Sequence, residues 1–181
     1  MKKLFLALLT TLALTNCTKD NNDLPSNHAD QLPPATTIGA NKVGCLVNGE
    51  VFLPKGNNPF GAPILTCFYQ YVNNTWNFSL GFSNNKEEHL RGVNIASKGV
   101  EFQQGQTYPL VLESNISCYA SYGKATIPQY YTSNIVTGEL KITKLDQINA
   151  IISGTFWYDA VNSAGTIVQI REGRFDMQYS P

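Results

Sequence analysis

The chain has 181 residues, 13 basic against 13 acidic, and only 14% of its residues are charged. No Lys/Arg cluster is present to follow a phosphate backbone, which argues against nucleic acid as a partner. Asn, Gly, Tyr and Thr are plentiful instead, a composition that suits turns and half-buried strands.

The first segment is an address. Lys2 and Lys3 precede an uncharged run from Leu4 to Leu14, followed by Leu14-Thr15-Asn16-Cys17. A basic start and a short apolar run describe an export signal, and the run is too short to span a bilayer, which takes about 20 apolar residues. Leu14 with Cys17 resembles the lipobox of bacterial lipoproteins, with Asn16 where that motif usually has a small residue. The resemblance implies cleavage after residue 16 and acylation of Cys17; the alternative is an ordinary signal cut elsewhere. Loss of Lys2 and Lys3 leaves 11 basic and 13 acidic residues, a mature charge of −2.

Residues 17–41 are polar and interrupted by Pro25, Pro33 and Pro34, and they read as a flexible tether with an end-to-end distance of about 25–30 Å. Within it, Lys19, Asp20 and Asp23 resemble the surface-export signal of Bacteroidota lipoproteins. That likeness implies a domain on the outer membrane facing the exterior; the periplasmic face is the alternative.

From residue 42 to 181 the pattern predicts a single all-β domain. Asn48-Gly49 between two apolar runs predicts a type I′ hairpin turn. Residues 64–72 and 75–83 form a second hairpin around Asn73-Asn74, with Trp76, Phe78, Leu80 and Phe82 alternating against Asn77, Ser79 and Gly81. One face of that strand must be buried. Shorter strands follow near 90–96, 107–112, 117–122 and 129–132. Three long ones close the chain at 138–145, 148–162 and 166–179. Gly154 and Gly173 inside the last two suggest bulges or close backbone contact. No window has a useful helical period. About nine to ten antiparallel strands imply a β-sandwich or small β-barrel.

Cys45, Cys67 and Cys118 remain once Cys17 is set aside. They permit one disulfide with a free thiol or three buried thiols, and their spacing matches no zinc motif. No metal site or cofactor is indicated. His89 is the only histidine of the domain, and no nucleophile elbow accompanies it. Scattered acids, Glu101, Glu113, Glu139, Asp146, Asp159, Glu172 and Asp176, leave open a carboxylate pair of the glycosidase kind. Asp159, Arg171, Arg174 and Asp176 on the last two strands suit cross-strand ion pairs or a polar ligand patch.

Tyrosines give the best hint of binding. Tyr69, Tyr71, Tyr119, Tyr122, Tyr130 and Tyr131, with Asn and Gln nearby, are candidates for a surface that stacks on sugar rings, or for core residues. Two stretches, Thr37–Gly49 with its Gly-Cys-Leu-Val-Asn-Gly strand and Ser153-Gly-Thr-Phe with Gly173-Arg-Phe-Asp, resemble an uncharacterised family of Bacteroidota lipoproteins. That likeness supplies no catalytic residue. The reading is therefore a membrane-anchored, non-catalytic binding or envelope-associated module, with a glycan or envelope protein as partner. A carboxylate-pair glycan hydrolase and an accessory subunit of an outer-membrane complex are the alternatives.

Overall fold

The computed structural model describes residues 28–57, 63–86, 90–124 and 127–181. Eleven strands are present among them: β1 (Lys42–Val47), β2 (Glu50–Phe52), β3 (Leu65–Val72), β4 (Thr75–Asn84), β5 (Arg91–Lys98), β6 (Thr107–Leu110), β7 (Ser117–Lys124), β8 (Ile127–Tyr131), β9 (Gly138–Asp146), β10 (Ile151–Val161) and β11 (Ile167–Gln178). They form one sheet in the order β2-β1-β11-β10-β9-β6-β7-β5-β4-β3, with β8 set between β7 and β10. The fold is all-β and sandwich-like. The sheet is mixed, not purely antiparallel, because β6 and β7 run parallel. Its margins meet through isolated bridges, Phe68 with Ser180 and Lys55 with Asn84, so the seam is irregular and the fold is not a clean barrel.

The turn residues act as their chemistry demands. Asn48 and Gly49 both take positive φ (50° and 85°), as do Asn73 and Asn74 (52° and 58°), the conformation that matches the twist of hairpin strands. The β10–β11 connection is clamped by Asn162, whose Oδ1 accepts from the backbone N–H of Ala164 (3.0 Å) and Thr166 (2.9 Å). At the other end, Asp146 Oδ1 accepts from Ile148 N (3.2 Å) and Asn149 N (3.0 Å). That asparatate-capped turn is why β10 starts at Ile151 rather than at residue 148.

One aromatic-rich core fills the interior. Tyr69 lies between Trp76 and Phe102, with ring centroids 4.7 and 5.4 Å away. Its hydroxyl accepts the Phe102 N–H at 2.7 Å, which satisfies the buried oxygen. Gly154 and Gly173 are explained by Phe175 and Phe156. Each glycine is the register partner of a phenylalanine on the neighbouring strand. A Cβ on Gly173 would come within 2.3 Å of the Phe156 ring, and one on Gly154 within 2.8 Å of the Phe175 ring and 2.3 Å of Lys141 O. The rings cover the bare backbone of the two glycines, a cross-strand arrangement found in sheets. β11 also bulges: the three steps from Ile170 to Gly173 oppose the two from Tyr158 to Phe156 on β10, those from Arg171 to Arg174 oppose the two from Leu46 to Gly44 on β1, and Glu172 takes φ 53°.

The segment expected as free tether does not all remain free. Residues 28–41 form a strap laid against the domain. His28 Nδ1 is 2.7 Å from Gly49 O at the β1–β2 turn, and Leu32 is buried. Leu32 and Pro33 lie over Gly44, where a Cβ would meet them at 3.3 and 3.0 Å. The ordered unit thus begins at least fourteen residues before Lys42, where the first strand starts.

Candidate functional site

Strand alternation sets out the site. In β10, Ile152, Gly154, Phe156, Tyr158 and Ala160 face inward, so Thr155, Trp157 and Asp159 face out. Glu139 and Lys141 on β9 are the register partners of Trp157 and Thr155. Thr107 of β6 pairs with Lys141, and Ala35 of the strap forms the far wall. Between these walls lies an open groove of about 640 Å³, floored by Thr155, Trp157 and Gly173 and edged by Glu139, Lys141, Arg171, Glu172 and Arg174.

Trp157 is 39% exposed although it is the largest side chain on that face. Its indole N–H donates to Glu139 Oε2 at 3.3 Å. The Arg171 guanidinium lies 5.4 Å from the ring centroid, a cation–π distance. Arg171 is held from three sides: Nη2 is 2.6 Å from Asp159 Oδ1, and Nη1 donates to Tyr158 O (3.1 Å) and Ile170 O (2.9 Å). The bulge at Glu172 turns its carboxylate back toward Arg174, Oε2 to Nη2 being 3.6 Å. The pairs are part-exposed, so each contributes at most about 1 kcal/mol to stability. Their larger effect is to fix an aromatic face beside forked donors, carboxylates and the hydroxyls of Thr155 and Thr107. That set can stack on an apolar ring face and bond paired hydroxyls around its rim.

The predicted tyrosines do not make this site, and they do not make another together. Tyr69 and Tyr122 are buried and offer no face to a ligand, a correction to their candidacy. Tyr119 and Tyr130 are half-buried; Tyr130 packs on Tyr122 with centroids 5.9 Å apart. Burial raises the Tyr119 phenol above its ordinary value, and the neighbouring Glu113 carboxylate adds to the effect. Tyr71 and Tyr131 are exposed, but at opposite ends of the sheet. Tyr71 adjoins the β3–β4 turn, beside the finish of β11, whereas Tyr131 pairs with Val161 beside its start. Trp157 is the residue that sequence reasoning passed over. Its signal was the alternation of Phe156 and Tyr158 inward, which leaves a tryptophan facing out.

Of the charged quartet, Asp159 and Arg171 pair as expected. Asp176 does something else. It is 2% exposed and accepts from Thr36 Oγ1 (2.6 Å), Ile38 N (3.0 Å), Gly39 N (2.8 Å), Ala40 N (3.2 Å) and Ser153 Oγ (2.8 Å). Burial pushes its carboxyl up, but the hydrogen bonds from Thr36, Ser153, Gly39 and Ile38 outweigh that and hold it down at about 2. Asp176 is the rivet of the strap and takes no part in the groove.

Cys45, Cys67 and Cys118 are free and buried, with the thiols of Cys67 and Cys118 pushed up to about 12 by burial and that of Cys45 higher still. Among the described residues no group of His, Cys, Asp and Glu converges as a metal site, and no helix is long and apolar enough to cross a membrane. Cys17, Lys19, Asp20, Asp23 and His89 lie outside the described residues.

Fold and groove together define an all-β domain with a solvent-open aromatic and polar cleft on one sheet face. The chain belongs to the family DUF6252, described as a domain of unknown function, which matches residues 72–177. That span takes in the closing strand pair and the groove residues of β6, β9, β10 and β11; the strap and the opening strand at 44–49 precede it. No curated protein and no solved structure matches the chain.

Proposed function

We propose that this chain is a lipid-anchored outer-membrane module of the Bacteroidota lipoprotein type, facing the cell exterior and binding a glycan without turning it over. Lys2, Lys3, the Leu4–Leu14 run and Cys17 support the anchor; Lys19, Asp20 and Asp23 support the outward orientation. The observation that carries the binding reading is Trp157, held half-open in the groove between Glu139 and Arg171. A neutral or mixed-charge sugar fits better than a polyanion, because Arg171 and Arg174 already have carboxylate partners.

The test is titration of the mature domain with a panel of neutral and acidic oligosaccharides, read by tryptophan fluorescence and calorimetry. Binding by at least one oligosaccharide is expected, and W157A is expected to weaken it by about 10-fold or more, since stacking on an aromatic face is worth roughly 1–2 kcal/mol. No heat with any sugar, or binding that W157A leaves unchanged, would remove the groove from consideration. Glu139 and Glu172 line the same groove. Release of reducing ends that is abolished by E139Q or E172Q would replace the binding reading with a hydrolase.

A further inference from the structure

The strap fixes where the chain enters the domain, and beside that point lies an apolar patch. Tyr131, Val161 and Ile167 are register neighbours on β8, β10 and β11, all on the outer face. Tyr131 is 54% exposed and Ile167 50%. Ile135, 92% exposed, sits in the turn closed by Ser133 N to Val136 O, next to where Asp159 N bonds Thr137 O. These four residues therefore gather around the start of β11 and the finish of β10. His28 reaches the same end. It contacts Gly49, and Asn48 N bonds Gln169 O at 2.8 Å, two residues from Ile167.

The geometry points to this patch as the face that rests on the membrane, a lipid surface being its occupant. The inference rests on the proposed acylation of Cys17. Only residues 18–27 separate Cys17 from His28. Those eleven steps span at most about 40 Å, however they are arranged. β10 alone, at eleven residues, is about 36 Å long. With the patch down, the link is used loosely. With the opposite end down, it would have to run back along the whole domain almost fully extended. Tyrosine and isoleucine suit the boundary, the ring lying among headgroups with its hydroxyl in water. Two described charges adjoin the patch and neutralise each other: Asp159, two residues from Val161 on the same face of β10, is paired with Arg171 at 2.6 Å. Glu50, at the entry turn, lies on the β2 side.

Depth measurement on the acylated, full-length protein decides it. I135C, I167C and I148C each carry a nitroxide; the native thiols are buried, and Ile148 is 95% exposed in the β9–β10 turn at the far end. The proteins are placed in vesicles of phosphatidylethanolamine and phosphatidylglycerol. The expected result is a severalfold loss of collision with an aqueous nickel reagent at 135 and 167, and none at 148. Equal aqueous access at all three sites, or protection at 148 instead, would overturn the orientation while leaving the anchor standing. Mass spectrometry showing Cys17 without acyl chains, with C17A fractionating as the parent does, would overturn the anchor and this inference together.

Discussion

Asp176 shows how much can hang on one side chain. Its carboxylate holds three successive backbone N–H groups of the strap and two hydroxyls, so its loss leaves buried donors unpaired. D176A is expected to destabilise by roughly 3 kcal/mol or more, read from urea unfolding at neutral pH. The pH dependence has a definite sign. A carboxyl held at about 2 in the folded chain, against an ordinary 3.8, favours folding wherever the unfolded group is ionised. That contribution, roughly 2–3 kcal/mol, is complete above pH 4–5 and fades as pH falls toward 2. D176N should show a flatter stability profile across that window. A second expectation concerns the thiols. With Cys67 and Cys118 pushed up to about 12 and Cys45 enclosed, none should react with a thiol reagent at pH 8 until the protein unfolds. The role of Asp176 was not legible in the sequence, because Phe175 and Met177 face inward and alternation assigns their neighbour to solvent. Only the strap, which has almost no apolar signal beyond Leu32, reverses that assignment. Trp157 was legible by the same rule, since Phe156 and Tyr158 on either side face inward.

Among the elements, the hairpins were the most readable part. Asn48-Gly49, Asn73-Asn74 and the Asn162–Gly165 connection announce themselves by residues that tolerate positive φ or bond their own backbone. What alternation could not reveal was which strands meet: β1 pairs with β11 across more than a hundred residues, and β6 runs parallel to β7. Gly154 and Gly173 suggest bulges or close contacts in the sequence; the phenylalanine lids over both account for the close contacts. G154A is expected to lower stability by roughly 2–3 kcal/mol, more than G173A, because its Cβ meets the Lys141 carbonyl as well as a ring. Thermal melts of the two variants side by side check the order. If G173A proves the worse, the Phe156 ring is less able to yield than the β9 backbone.

For the whole molecule, residues 28–41 of the expected 17–41 tether are laid against the domain. Pro33 and Pro34 do exclude regular structure, yet they also make a stiff, extended strap that packs over Gly44. A chain beginning at Lys42 is therefore expected to be less stable than one beginning at His28 by about 3 kcal/mol or more, chiefly through the orphaned Asp176. Denaturant midpoints of the two chains test this, and equal midpoints would show that the strap is ornamental. The strap has one more consequence, mechanical rather than thermodynamic. It enters beside the β1–β2 turn, runs the length of the domain to Asp176, and only then reverses at Asn41 into β1. Tension drawn from the N-terminus pulls along the strap's own axis. Leu32, the prolines and the Asp176 bonds are then loaded side by side in shear, instead of being peeled one at a time. Under the proposed anchoring, drag on the domain passes through Asp176 into β11, the longest of the described strands.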